Sequence, residues 1–243
     1  MVSNPIIIIQ ARMNSERLPG KILKPIGGKP MIGILIERLR QSGIPMMLAT
    51  STNKENDELV DFAQKSGIDV FRGNEDNVLE RYYLAALACN ADPIIRLTGD
   101  NPLMDGSLVK DVLAYYQKFK NSRVYVSTGL SKTFPLGISA EVFSFELLKE
   151  ANLNANLPGE FEHVTPYMHQ NRPGDVKIFP YAGEMNKYHY RLTVDTEKDF
   201  KLVKALVEDY KCDQQSVIEI VGILDSHPEL ARMNNSIIQK SWI

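Results

Sequence analysis

The stretch that decides the fold is residues 6–21, which read IIIIQARMNSERLPGK. Four consecutive isoleucines followed by polar residues are typical of a strand buried on both faces of a parallel sheet. The run passes directly into a loop that carries Arg12, Arg17 and Lys21. Ligands of open α/β sheets bind outside the carboxyl ends of the strands. Because guanidinium groups clamp phosphate oxygens and lysine adds a compact positive charge, the loop indicates a polyphosphate site, with a solvated basic connector as the alternative.

The loop at residues 11–21, which we call the phosphate loop, lacks the known glycine-rich signatures of phosphate-binding sites. Its Gly-Lys pair is followed by Ile22, and the second Gly-Lys pair is followed by Pro30, so neither forms a Walker A sequence. The chain also has no Gly-x-Gly-x-x-Gly. These absences disfavour P-loop kinases and dinucleotide-binding proteins.

Apolar periodicity predicts an α/β fold with a mostly parallel sheet flanked by helices. Strands are expected at residues 46–51, 68–72, 93–98, 123–127, 176–181 and 188–194 in addition to the isoleucine run. Helices are expected at 30–42, 55–66, 76–90, 105–120, 141–151, 197–209 and 216–226. We interpret residues 1–243 as one domain, with the Pro- and Gly-rich stretch 129–183 as an inserted subregion for acceptor binding and dimerisation.

Composition limits the classes of function. The 243 residues carry 28 Lys and Arg against 30 Asp and Glu, so no overall basic field exists to hold a nucleic acid. Two cysteines are too few for a disulfide framework, which favours a reducing cytoplasm. No apolar run reaches the roughly 18 residues needed to cross a membrane, and no signal peptide is evident. The sequence therefore predicts a cytoplasmic protein with no membrane or nucleic-acid partner.

The phosphate loop resembles the opening of the cytidylyltransferases that activate acidic sugars. That family includes CMP-Kdo synthetases, CMP-acylneuraminate synthetases and a spore-coat polysaccharide branch, which is the most similar. The matching residues are Gln10, Ala11, Arg12, Ser15, Arg17, Leu18, Pro19 and Lys21. The resemblance implies a Rossmann-like nucleotidyltransferase fold, CTP as substrate, Mg²⁺ as cofactor and a homodimer built through residues 129–183.

Two carboxylates follow predicted strands and are the candidate metal ligands. Asp100 lies in RLTGDNP at residues 96–102, and Asp195 lies in VDTEKD at residues 194–199. On pattern alone, each could instead initiate a turn or cap the next helix. The resembling family uses both positions for Mg²⁺, which implies that Asp100 and Asp195 bind the metal here. Asp199 fits the same motif, with a helix cap as the alternative.

The resemblance assigns further residues to the nucleotide. Arg12, Arg17 and Lys21 are expected to act with Asp100 in catalysis. Nucleotide binding is expected from Gln10, Ala11, Arg12, Ser15, Lys21, Arg72 and Arg96. Arg96 interrupts an otherwise apolar strand, and such a charge must be paired or functional, so we expect it to face the cleft. For Arg72 a solvated position at a helix start is the alternative.

Residues of the acceptor site are expected in the 129–183 stretch. The candidates are Gly137 and Glu141 in PLGISAEVF at residues 135–143, and Glu162 and His163 in EFEHVTPY at residues 160–167. A hydrogen-bonded structural histidine is the alternative for His163. The resembling family usually has acidic residues where this chain has Leu136 and Ser139, which leaves the identity of the acceptor open.

These observations predict an enzyme that transfers CMP from CTP to the anomeric hydroxyl of an acidic sugar and releases pyrophosphate. One alternative is nucleotidyl transfer to an aminosugar phosphate or another phosphorylated acceptor. A second is a glycosyltransferase or a non-catalytic module that binds nucleotide sugars. No Asp-x-Asp motif follows a predicted strand, which disfavours the glycosyltransferase.

Overall fold

The computed structural model describes residues 4–239 and is built around a seven-stranded sheet. The strands of the chain are β1 (Ile6–Gln10), β2 (Pro25–Ile26), β3 (Lys29–Pro30), β4 (Met46–Ser51), β5 (Asp69–Gly73), β6 (Ile94–Thr98), β7 (Val124–Ser127), β8 (Glu141–Phe143) and β9 (Lys177–Pro180). The sheet order is β5-β4-β1-β6-β8-β7-β9, and β2 pairs with β3 in a separate small hairpin. Strand β1 is parallel to β4 and β6, and β8 is antiparallel to β6 and β7.

Helices cover both faces of this sheet. They are α1 (Met31–Leu39), α2 (Asp57–Lys65), α3 (Val78–Ala88), α4 (Gly106–Gln117), α5 (Phe145–Asn154), α6 (Pro158–His163), α7 (Pro166–His169), α8 (Glu197–Tyr210), α9 (Val217–Ser226) and α10 (Pro228–Arg232). Successive side chains of a strand point to opposite faces. Accordingly, Ile7 and Ile9 pack in one apolar core with α1, α4 and α8, whereas Ile6 and Ile8 pack in the other with α3 and α5. The expected α/β architecture is confirmed.

Two local predictions were wrong. Residues 141–143 form strand β8 rather than the start of a helix, because they pair between β6 and β7; helix α5 begins only after Ser144, whose hydroxyl caps it. Residues 188–194 do not form a strand of the sheet. They form a single isolated β-bridge, between Arg191 and Leu136, because their backbone hydrogen bonds go to Leu136 and Asp100 in loops rather than to a strand of the sheet. Tertiary pairing overrides local propensity in both places.

The stretch 129–183 contributes directly to the main sheet. It supplies β8, which lies between β6 and β7, and the edge strand β9. It also holds the short helices α6 and α7. Within residues 4–239, no helix combines the length and the apolar character needed to cross a membrane.

Candidate active site

The phosphate loop folds back on itself, and Lys21 at its end is buried against the segment that carries Val194 and Asp195. Lys21 retains only 8% exposure. Its Nζ donates to the carbonyl oxygen of Val194 at 2.6 Å and to Oδ1 of Asp195 at 3.2 Å, and it lies 3.8 Å from Oδ2 of Asp100. One ammonium group thus contacts both predicted metal ligands, which are 95 positions apart in the sequence. The structure brings together the cation and the two carboxylates that the sequence singled out.

Backbone hydrogen bonds explain why the two carboxylates meet. Val194 donates its N–H to the carbonyl oxygen of Asp100 at 2.7 Å, and the hydroxyl of Thr193 donates to the same oxygen at 3.3 Å. On the other side, Leu192 donates its N–H to the carbonyl oxygen of Leu136 at 2.6 Å. The segment that carries Asp195 is therefore held between the end of β6 and the loop before β8.

Gly137 makes this close approach possible. It adopts φ +98°, and a Cβ built there would lie 2.3 Å from the backbone nitrogen of Thr193. A methyl group in that place must displace the segment that carries Asp195. The close backbone contact therefore requires glycine at position 137, whether or not this residue also contributes to the acceptor site as predicted.

Gly137→Ala is expected to destabilise the protein by about 1–3 kcal/mol, because the added methyl group overpacks a backbone contact, and to lower activity by moving Asp195. Chemical denaturation measures the first effect. The matched control is Gly174→Ala: Gly174 has φ +89° but open space around the added Cβ. It reports the cost of backbone strain alone, and an equal loss in both variants would contradict the proposed contact.

Neither candidate metal ligand is a helix cap. The carboxylate of Asp105 caps α4 by accepting from the N–H groups of Ser107 and Leu108. Helix α8 is capped by Thr196, with Asp199 completing a capping box. The capping alternative therefore applies to Asp199 and is excluded for Asp100 and Asp195.

Three cations surround Asp195. Besides Lys21, Arg17 lies 3.1 Å from Oδ1, and Arg191 lies 2.7 Å from Oδ2. Burial of Asp195 opposes its ionisation, yet the positive charges of Lys21 and Arg17 outweigh that effect and hold its pKa below the ordinary value. Asp195 is therefore an anion at neutral pH.

The unpartnered oxygen of Asp100 fits Mg²⁺, whereas both oxygens of Asp195 contact cations. Oδ1 of Asp100 is buried and has no hydrogen-bond partner among residues 4–239, so this oxygen is available to a ligand. Across residues 4–239, no group of three or more His, Cys, Asp or Glu side chains could hold a metal. Mg²⁺ does not require one, because it is commonly held by one or two carboxylates together with waters and substrate phosphates. A dedicated zinc centre, in contrast, needs about four protein ligands.

Two cavities open on either side of Asp100 and Asp195. The larger has a volume of about 740 Å³ and includes the phosphate loop, and the smaller has about 350 Å³ and includes the loop before β8. Their shared wall consists of Arg96, Thr98, Asp100, His163, Asp195 and Gln239. We call them the nucleotide cavity and the acceptor cavity. The carboxylates thus lie where a group could pass from one ligand to another.

Most predicted nucleotide residues line the nucleotide cavity. They are Gln10, Ala11, Arg12, Ser15, Lys21 and Arg96, and Arg17, which was expected in catalysis, lines the same cavity. Arg12 is exposed and forms an ion pair of 2.9 Å with Glu75, which lines the same cavity. The exposed guanidinium and the buried Lys21 place positive charge at both ends of the loop.

Arg72 is not part of either cavity. Its guanidinium donates to the carbonyl oxygens of Ser51 and Asn53 at 3.0 and 2.8 Å, and to Asp57 at 2.7 Å. The side chain thus braces the loop after β4 instead of facing a ligand. This corrects its sequence-based assignment to the nucleotide.

Arg96 and Glu141 form a buried ion pair at the boundary of the cavities. Glu141 also accepts hydrogen bonds from the hydroxyls of Tyr125 and Thr165, the latter at 2.8 Å. Burial opposes ionisation of Glu141, but Arg96 outweighs it and lowers the pKa of this carboxyl. Arg96 lines both cavities, as expected of a residue that faces the cleft, and it is also paired, with Glu141 as its partner.

The predicted acceptor residues separate into two groups. Gly137, Glu141 and His163 line the acceptor cavity, whereas Glu162 lines only the nucleotide cavity. Glu162 is thus separated from Gly137 and Glu141, with which it was predicted to form the acceptor site. His163 borders both cavities, and burial lowers its pKa, so it is largely neutral at pH 7. Leu136 and Ser139 also line the acceptor cavity.

Sequence reasoning missed two residues of this site. Gln239 borders both cavities although it lies in an irregular C-terminal segment that carries no motif. Arg191 forms an ion pair with Asp195 but lines neither cavity. Its signal was a charge inside the apolar segment 190–194, the same signal that singled out Arg96.

Over nearly its whole length, the chain is similar to known proteins. A family model described as cytidylyltransferase matches residues 6–240. An uncharacterised protein of Methanocaldococcus jannaschii is 38% identical, with 97% of this chain and 96% of that protein covered. The spore coat polysaccharide biosynthesis protein SpsF of Bacillus subtilis is 35% identical, with 93% and 96% covered.

Solved structures extend the similarity to three dimensions. A cytidylyltransferase from Leptospira borgpetersenii superposes with a TM-score of 0.88 at 31% identity, covering 98% of this chain and all of that chain. A CMP-2-keto-3-deoxy-manno-octonic acid synthetase complexed with CTP has the same fold, with a TM-score of 0.63 at 20% identity, covering 86% of this chain and 100% of that one. The fold, the full-length match and the converging charges lead to one assignment: the chain belongs to the cytidylyltransferase family.

Proposed function

We propose that this cytidylyltransferase transfers CMP from CTP to the anomeric hydroxyl of an acidic sugar of the nonulosonic acid type and releases pyrophosphate, for the synthesis of a surface polysaccharide or glycan. The observation that carries the proposal is the meeting of Asp100 and Asp195 on Lys21, in the wall that separates the two cavities. A reaction that joins two ligands needs such a common boundary. The SpsF similarity supports a role in polysaccharide synthesis, and the CTP complex of the distant synthetase supports CTP as the donor.

Asp100 and Asp195 are the residues that would hold Mg²⁺. When bound there, the metal would neutralise phosphate charge and help to orient the triphosphate. Lys21 is fixed by three oxygen contacts and supplies a positive charge that needs no rearrangement. Arg17 has a side chain that is 35% exposed, so its guanidinium can reach a phosphate from the rim of the cavity.

The acceptor cavity favours a carboxylate over a phosphate. Among the described residues that line it, Arg96 is the only Lys or Arg, and Glu141 already neutralises its charge. A dianionic phosphate would need more compensation than this pair offers, whereas a single carboxylate needs less. A phosphorylated acceptor is therefore the second choice.

We also propose that the enzyme works in the cytoplasm as a homodimer, with residues 129–183 at the interface. Support comes from the resemblance to the family, since this stretch is where its dimers are expected to form. Light scattering of the purified protein at several concentrations tests the proposal. A monomer at all concentrations would overturn it.

Substrate use is tested by measuring pyrophosphate release with each of the four NTPs and Mg²⁺ against nonulosonic acids, Kdo and sugar phosphates. We expect release only with CTP, and fastest with an acidic sugar. Chelation of divalent cations by EDTA should abolish it. Release that depends on a sugar phosphate, or on an NTP other than CTP, would contradict the proposed acceptor or donor.

A further inference from the structure

Arg191 is a buried cation that joins two carboxylates. It retains 5% exposure. One guanidinium nitrogen donates to Oδ2 of Asp195 at 2.7 Å, and Nε donates to Oδ1 of Asp199 at 2.8 Å. Arg191 lines neither the nucleotide cavity nor the acceptor cavity. It therefore acts on Asp195 from the side away from the substrates.

The second carboxylate, Asp199, is itself held rigidly. It is fully buried, and its Oδ2 accepts from the N–H groups of Asp195 and Thr196 at 3.1 and 2.9 Å and from the Thr196 hydroxyl at 3.0 Å. These bonds tie it to the first turn of α8. Arg191 is thus anchored on a helix start and reaches Asp195 from a fixed point.

Residues 233–239, which follow α10 and which we call the C-terminal segment, also contact Arg191 and Asp199. The side-chain amide of Asn234 donates to the carbonyl oxygen of Arg191 at 3.0 Å and to Oδ1 of Asp199 at 2.8 Å. Another nitrogen of Arg191 donates to the side-chain oxygen of Gln239, which borders both cavities. A single guanidinium therefore connects Asp195, the start of α8 and the end of the described chain.

We propose that Arg191 is a positioning residue that fixes the carboxylate of Asp195 for metal and nucleotide binding, and that docking of the C-terminal segment supports it. Because Arg191 occupies Oδ2, Oδ1 faces Lys21 and Arg17 on the side of the nucleotide cavity. Partners behind a metal ligand set its orientation, and their loss typically costs 10–100-fold in metal affinity or activity. This inference rests on the proposed function.

The test is Arg191→Lys, which keeps the positive charge but loses the planar fork that reaches two carboxylates and Gln239 at once. Mn²⁺ replaces Mg²⁺ as a paramagnetic probe. Its affinity is measured by electron paramagnetic resonance on full-length protein with a CTP analogue that has a methylene group between the α- and β-phosphorus atoms, so no turnover occurs. We expect Mn²⁺ affinity to fall about 10–100-fold, and kcat to fall with it.

Arg123→Lys is the matched control. Arg123 also joins two carboxylates, Glu150 and Asp175, but lies outside both cavities. Its replacement should leave Mn²⁺ affinity unchanged. A folded Arg191→Lys variant with the affinity of the unmodified protein would overturn the inference, and so would an equal loss in the control.

Gln239→Ala provides a second route, because a side chain near the chain end can be shortened without unfolding the core. We expect Mn²⁺ affinity to fall in this variant as well, but by less than in Arg191→Lys. If Arg191→Lys does not fold, unchanged affinity in Gln239→Ala overturns the inference. If the unmodified protein neither binds Mn²⁺ with the analogue nor releases pyrophosphate from CTP, the proposed function fails and the inference falls with it.

Discussion

Asp100→Asn is expected to lower kcat by at least about 10–100-fold, because loss of the metal ligand that we propose should cost no less than loss of a group behind such a ligand. The unfolding transition should stay near that of the unmodified protein. The Asp100 side chain is 31% exposed, and among the described residues its one ion-pair contact is with Lys21 at 3.8 Å. Pyrophosphate release and thermal unfolding measure the two effects.

Asp195→Asn is the informative comparison for that result. It should also remove activity, but at a cost of about 3 kcal/mol in stability, since it takes the anion away from three cations in a buried cluster. Full activity in either variant would remove that carboxylate from the mechanism.

Lys21→Met is expected to weaken CTP binding by about 10- to 100-fold, the effect of losing one or two hydrogen bonds to charged groups. CMP binding should change less, because we place Lys21 on the phosphates that CMP lacks. Titration calorimetry without acceptor measures both affinities. An equal loss for CTP and CMP would contradict the assigned role.

Lys24→Met is the control for this experiment. Lys24 is a neighbouring cation that pairs with Glu197 at 3.2 Å, and it lines neither cavity. Its replacement should leave both affinities unchanged. A loss of CTP affinity as large as in Lys21→Met would indicate a general effect of charge rather than a specific contact.

Local patterns predicted most elements of the first half of the chain. The isoleucines of β1 and the periodic apolar residues of α1 are buried regardless of distant pairing, so periodicity found them. Residues 141–143 and 188–194 were misassigned, because their structure depends on partners far away in sequence. Arg72 and Glu162 were assigned to the wrong places for a related reason, because a charged residue in a motif does not reveal which way its side chain points.

By itself, the sequence determined the alternation of strands and helices and the cations and carboxylates of the motifs, since these depend on residue type and short spacing. Only the tertiary structure decided which charges meet. Asp100 and Asp195 converge on Lys21 because backbone hydrogen bonds join Val194 to Asp100 and Gly137 admits Thr193 at close range. Gln239 belongs to the same cluster for that reason too, since its hydrogen bond with Arg191 joins segments far apart in sequence and leaves no local pattern.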